Sequence, residues 1–112
     1  CIVIPVEFNK IDPKYTEERK KFKRYVYNRL ESFDNVELFD FQDNEAVVFN
    51  VANYMSDGIH YYRYVNEWII KELITSEPIS SESQYIKRLD SFDRIVNDFN
   101  QSQLRFEPNN KP

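Results

Sequence analysis

Apolar and polar positions fall into distinct patterns along the chain. Cys1-Ile2-Val3-Ile4-Pro5-Val6 is a continuous apolar, β-branched run closed by valine after proline. Such a run predicts a buried strand, and a strand apolar on both faces suits a parallel sheet covered by helices. It starts at residue 1 without a lead-in, as if the chain began inside a sheet. Residues 7–14 are mostly polar, with Asp12-Pro13 as a turn signal. Thr16 fits a helix N-cap, followed by Glu17 and Glu18 where carboxylates favour the helix dipole. Phe22, Tyr25, Val26, Leu30 and Phe33 then recur at helical spacing and predict the buried face. That leaves Lys20, Lys21, Lys23 and Arg24 as a solvated basic side, and Asp34-Asn35 as the stop.

Val36-Glu37-Leu38-Phe39-Asp40-Phe41 predicts a second strand, so strand, helix and strand make a βαβ unit with a parallel pair. Gln42-Asp43-Asn44 is a turn, and residues 45–55 fit either a strand or a short helix. After His60, Tyr61, Tyr64, Val65, Trp68, Ile69 and Leu73 form the stripe of the strongest helical segment, stopped by Thr75-Ser76-Glu77-Pro78. Residues 78–83 read as a linker or surface loop. Tyr85, Leu89, Phe92, Val96 and Phe99 are then spaced four, three, four and three apart, with Ile86 and Ile95 beside the seam. Two heptads are too few for an independent coiled coil, so this helix is expected to pack on its own domain; a partner-binding helix is the other reading. Residues 105–112 form a polar tail expected to fray. The expected fold is α/β: a short parallel βαβ sheet flanked by helices in residues 1–75, then a linker, a C-terminal helical extension and a tail in residues 76–112.

Composition narrows the function classes. The chain has 112 residues, 41% hydrophobic and 30% charged, which fits one small domain or a piece of a larger one. No apolar run approaches the roughly 18 residues of a membrane span, and no charged-then-apolar leader opens the sequence. A net charge of −4 argues against non-specific nucleic-acid binding. One Cys and one His exclude an internal disulfide and a Cys- or His-rich metal site, so no metal is expected. One Gly excludes a phosphate loop or a dinucleotide-binding turn, and no organic cofactor is implied. Aromatic residues reach 16%, enough for a well-filled core or for an apolar surface awaiting a partner.

Asp57 and His60 are the one constellation suited to catalysis. Three residues apart at the start of a helix, they fall on one side of a single turn. A carboxylate beside an imidazole fixes its tautomer and stabilises the imidazolium formed when the ring takes a proton. Gly58, the only glycine, lets the turn reach backbone angles closed to other residues.

Tyr54-Met55-Ser56-Asp57-Gly58-Ile59-His60 and the aromatic-rich helix after it resemble the C-terminal block of the SGNH (GDSL-type) hydrolases and the related polysaccharide O-acyltransferases. That block is an aspartate and a histidine three apart, often Asp-Gly-x-His, leading into the last helix. Ile2-Val3-Ile4-Pro5 is similar to the family's late strand ending in proline, and residues 16–33 and 36–41 to the helix and strand that follow. The resemblance spans about residues 1–75 and implies Asp57 and His60 as acid and base members of a catalytic triad.

The family's Gly-Asp-Ser block and the Gly and Asn of its oxyanion hole have no counterpart here, and Ser56, adjoining Asp57, cannot stand across the site as nucleophile. The resemblance therefore implies the C-terminal part of a serine esterase or O-acyltransferase, inactive alone. Its partner would be the missing N-terminal half or another chain. Its substrate would be an acylated or acetylated glycan, and its place a bacterial cell surface. The competing reading is a non-catalytic protein–protein interaction domain. Cys1 admits a lipidated lipoprotein terminus, a thiol nucleophile served by His60, or a small buried apolar residue at a fragment boundary; the strand-like run after it favours the last. Asn100-Gln101-Ser102 matches a glycosylation sequon within the last helical segment.

Overall fold

A computed structural model describes residues 13–98 and 104–112. In chain order the elements are α1 (Pro13–Leu30), the single turn α2 (Glu45–Val48), a 3-10 turn (Val51–Asn53), α3 (Arg63–Thr75) and α4 (Glu82–Asn97). The architecture is helical. Among the described residues the only β pairings are two isolated bridges, Asn50 with Arg105 (parallel) and Tyr54 with Tyr61 (antiparallel). The expected α/β fold with a parallel βαβ sheet is therefore corrected. Its first strand, residues 2–6, and the Cys1 readings lie outside the described residues.

Residues 36–41 form no ladder, because their polar groups and side chains are claimed by the helices and the 76–81 connection around them. The Ile79 amide donates to the Leu38 carbonyl at 2.8 Å, and Leu38 packs against Tyr27, Tyr85 and Leu89. Asp40 is buried, and Phe41 meets Trp68 of α3 edge-on at 5.6 Å between centroids.

α1 packs on α4, and the face it uses is not the aromatic one. Helix α1 begins at Pro13, so Thr16 lies inside it and is not its N-cap. Phe22, Tyr25 and Phe33 are exposed, at 64%, 61% and 54%. The supposedly solvated basic side is the packed one in part. Lys20 pairs with Asp90 at 2.6 Å and Asp93 at 3.3 Å, Lys23 with Asp40 at 2.6 Å, and Arg24 with Glu82 at 3.7 Å. Positions 20, 23, 24 and 27 lie on one helical stripe, and Tyr27 completes it with a 5.8 Å ring contact to Tyr85. The physical reason is the partner surface: α4 and the residue 40–43 segment present carboxylates there, so long cationic chains laid along apolar ground pair with them.

α4 is built as its spacing suggests. Ser81 caps it by accepting from the Gln84 amide at 3.2 Å, and Tyr85, Leu89, Phe92 and Val96 are buried. Phe99 of the expected seam lies outside the described residues. The helix is no peripheral extension, because it supplies both cores. One joins Phe92 and Val96 to Val48, Phe49 and Tyr54, and the other joins Tyr85 and Leu89 to Tyr27.

The ambiguous stretch 45–55 resolves as two short turns, each capped by an asparagine. Asn44 Oδ1 accepts from the Val47 amide at 3.3 Å and Asn50 Oδ1 from the Ala52 amide at 3.2 Å. Asn50 is 1% exposed and also clasps the tail, accepting from the Glu107 amide at 3.1 Å and donating to the Glu107 carbonyl at 3.2 Å. The Val51 amide donates to the Arg105 carbonyl and the Arg105 amide to the Phe49 carbonyl. Residues 105–107 are thus docked where fraying was expected.

Candidate functional site

The loop between the 3-10 turn and α3 carries Asp57 and His60. It is a closed reversal of the chain. Tyr54 and Tyr61 bridge across it, the Met55 amide donates to the His60 carbonyl at 2.6 Å, and the Gly58 amide to the Met55 carbonyl at 2.9 Å. Gly58 turns the corner at φ +69°, a left-handed angle that other residues adopt at a cost. A Cβ there would meet nothing within 4 Å, so the requirement for glycine is one of backbone angle and not of space.

Asp57 is held at both oxygens. Its Oδ1 accepts from the Ile59 and His60 amides, each at 2.9 Å, and its Oδ2 lies 2.5 Å from His60 Nδ1. A carboxylate only accepts, so this contact assigns the proton to Nδ1 and leaves the Nε2 lone pair free in the neutral ring. The hydrogen bond to His60, with the two amide bonds behind it, holds the Asp57 carboxyl down at about 2. The His60 side chain is 74% exposed, and none of the hydrogen bonds seen among the described residues involves Nε2. This is the relation of base and orienting carboxylate found in hydrolytic triads.

The two residues predicted from sequence are therefore brought together, but not as one helical turn. α3 begins only at Arg63, and the pairing comes from Asp57 folding back onto the amides two and three residues ahead. Nor does a sheet edge carry them, since no sheet is present among the described residues. No group of three or more potential metal ligands occurs among the described residues, and no helix there is long and apolar enough to cross a membrane.

A crevice of about 560 Å³ opens beside the loop, with Ser56, Asp57 and Gly58 at its rim. Val48, Tyr54 and, from the tail, Leu104 and Phe106 also line it, whereas His60 does not. Sequence reasoning missed this feature because residues 104–106 reach it through the Asn50 clasp and the Arg105 bridge, contacts between positions more than 50 residues apart.

A second polar cluster, absent from the sequence reading, lies under α1. Asp40 accepts from Lys23 at 2.6 Å, from Tyr85 at 2.8 Å and from the Gln42 amide at 3.1 Å. Burial pushes the Asp40 carboxyl up, but the Lys23 ammonium and these hydrogen bonds outweigh it and hold the group below the usual carboxylate range. Burial pulls Lys23 below the ordinary lysine value despite Asp40. Arg88 joins the cluster through both oxygens of Asp43 and the Asp40 carbonyl. Every charge here has a partner across elements, which marks it as a tie between α1, the 40–43 segment and α4.

Comparison with protein-family models, with curated proteins and with solved structures gives no match for this chain.

Proposed function

We propose that the protein supplies the acid–base pair of a serine-type esterase or O-acyltransferase centre acting on acylated glycans, with the nucleophile and oxyanion donors provided outside these residues. The missing half would come from a further segment of the same protein or from another chain. The observation that carries this reading is the Asp57–His60 pair, with its tautomer assigned and Nε2 left as acceptor. In that role His60 Nε2 takes the serine proton as Oγ attacks the ester carbonyl. The imidazolium then gives the proton to the departing alcohol. Asp57 stabilises the imidazolium and keeps the ring oriented. An acceptor hydroxyl in place of water converts hydrolysis to transfer.

The test compares the 112-residue chain alone with the same chain in its natural context, together with any flanking segments and any chain that co-purifies with it, on a chromogenic ester and a fluorophosphonate probe. The chain alone should neither turn over ester nor be labelled. The natural assembly should do both and lose turnover about 10⁴-fold with Asp57→Asn. Turnover that survives His60→Ala, or a natural assembly inert to both reagents, overturns the reading.

A second reading, a protein-interaction module, draws on the exposed Ile70, Leu73 and Ile74 of α3. Self-association in sedimentation that Ile74→Glu abolishes would favour it. A monodisperse monomer that binds no hydrophobic dye would count against it.

A further inference from the structure

The polar cluster under α1 opens onto a crevice of its own. Its volume of about 260 Å³ lies just under the range of drug-sized sites and suits a small molecule. Phe22, Val26, Leu38 and Phe39 make apolar walls, and Phe22 is 64% exposed, so the crevice reaches the surface. Lys23, Asp40 and Tyr85 line it as well. Their polar atoms meet at one point: Asp40 Oδ2 accepts from Lys23 Nζ at 2.6 Å and from the Tyr85 hydroxyl at 2.8 Å. A primary amine in contact with a carboxylate thus belongs to the lining of an apolar crevice. Two lysines of α1 contrast here. The hydrogen bond to Asp90 holds Lys20 above the ordinary lysine value. Burial pulls Lys23 below it, which eases release of its proton.

The charge balance at Asp40 selects the electrophile. Acylation of Lys23 would turn its nitrogen into a neutral amide and leave the buried Asp40 carboxylate without its cation. Carboxylation would set a second anion against it. Condensation with an aldehyde keeps the pair, because one iminium replaces one ammonium and retains an N–H for Asp40.

We propose that Lys23 condenses with small, neutral, apolar aldehydes held in this crevice, with Asp40 as proton shuttle and counter-ion. The ammonium gives a proton to Asp40, and the neutral nitrogen adds to the carbonyl carbon. Asp40 hands that proton to the alkoxide oxygen. A second proton passes by the same route from nitrogen to hydroxyl. The C–O bond then breaks, the nitrogen lone pair forms the C=N bond, and water leaves. Ammonium and aldehyde become iminium and water with no net change of charge. This site is independent of the Asp57–His60 reading and stands or falls without it.

The imine can be trapped and located. Sodium cyanoborohydride reduces it to a stable secondary amine, and peptide mass spectrometry reports which lysines carry the alkyl group. With butanal near neutral pH, Lys23 should be labelled several times faster than Lys20 and the exposed Lys87. Glyoxylate, whose carboxylate meets Asp40, should not share that preference. Phe22→Ala, which removes an exposed wall, should slow butanal labelling of Lys23 severalfold and leave Lys87 unchanged. Urea should erase the difference among the three lysines. Lys23→Arg keeps a cation beside Asp40 and forms no imine, so it should lose the fast label with little change in melting temperature. Lys23 labelled slowest of the three would mark an amine sealed in its ion pair and overturns the proposal. A preference for Lys23 that glyoxylate shares, or that Phe22→Ala leaves intact, overturns the assignment to apolar aldehydes.

Discussion

α3 and α4 are both amphipathic and of similar length, 13 and 16 residues, yet they are used differently. α4 is capped by Ser81, opens on Glu82 and buries Tyr85, Leu89, Phe92 and Val96. α3 has no side-chain cap at Tyr62, buries only Val65 fully, and leaves Ile70, Leu73 and Ile74 exposed at 58%, 44% and 79%. A stripe at helical spacing is a demand for a partner, and neighbouring elements decide whether it is met. α4 is met on one side by α1 through ion pairs over Tyr27, and on the other by α2 and Phe49. α3 is held mainly near its start, through Val65, the Tyr64 hydroxyl on the Ala52 carbonyl and Trp68 on Phe41. Its second half carries apolar surface without a cover among the described residues. The Asp57–His60 loop therefore leads into the less covered helix.

The contrast can be broken most directly at the tie that covers α4. Asp40→Ala leaves Lys23 buried without its paired carboxylate and strips Tyr85 of its acceptor. Loss of one partner of a buried pair costs about 3–5 kcal/mol. Urea denaturation should show that loss, and a change under about 1 kcal/mol would mean that α1 does not depend on the pair. A paired Lys23→Met and Asp40→Leu variant should recover most of it.

The same substitution on the two helices sharpens the comparison further. Leu89→Ala, at a position 7% exposed, should cost about 2–5 kcal/mol. Leu73→Ala, 44% exposed, should cost under about 1 kcal/mol. Equal losses would show that α3 is covered in solution by something the monomer lacks.

Asn50→Ala acts at a joint that serves neither helix. It removes three hydrogen bonds from a side chain 1% exposed. An expected loss of about 1–3 kcal/mol should come with faster amide exchange at Val51 and Arg105. Exchange unchanged at those amides would show that the bridge, not the side chain, docks the tail.

The smallest effect is with pH. The folded Asp57 carboxyl lies below its unfolded value, so the stability it contributes is complete above roughly pH 4. It is lost as pH falls through about 2. The difference in melting temperature between the wild type and Asp57→Asn should therefore vanish in acid. Amides of Ile59 and His60 should lose protection over the same window before those of α4. A difference that persists below pH 2 would place the stabilising contact elsewhere.

Helical periodicity was legible wherever a long segment met a surface of matching kind, as at residues 82–97, where the buried positions are the ones the spacing names. The Asp57–His60 pairing was legible too, because it is local. An aspartate two and three residues ahead of free amides folds onto them whatever surrounds it. The glycine at the corner was legible for the same reason. The sheet was misread because β-branched and aromatic residues at 36–41 favour a strand only if another backbone pairs with it. Here Leu38, Asp40 and Phe41 are held by side chains of three helices instead. The basic face of α1 was misread because a lysine looks solvated until a buried carboxylate is placed opposite it.

By itself, then, the sequence determined what depends on near neighbours: where α3 and α4 run, and the carboxylate–imidazole contact with its tautomer. Those rest on hydrogen bonds and spacings of a few residues, which the chain carries wherever it goes. Tertiary structure alone decided which face of α1 is buried, that Asp40 and Lys23 meet, that the tail docks on Asn50, and that an apolar crevice stands beside Asp57. The pairings behind them join groups from 17 to 73 residues apart. Their energies come from desolvation and pairing across elements, and no local pattern encodes which partner will arrive.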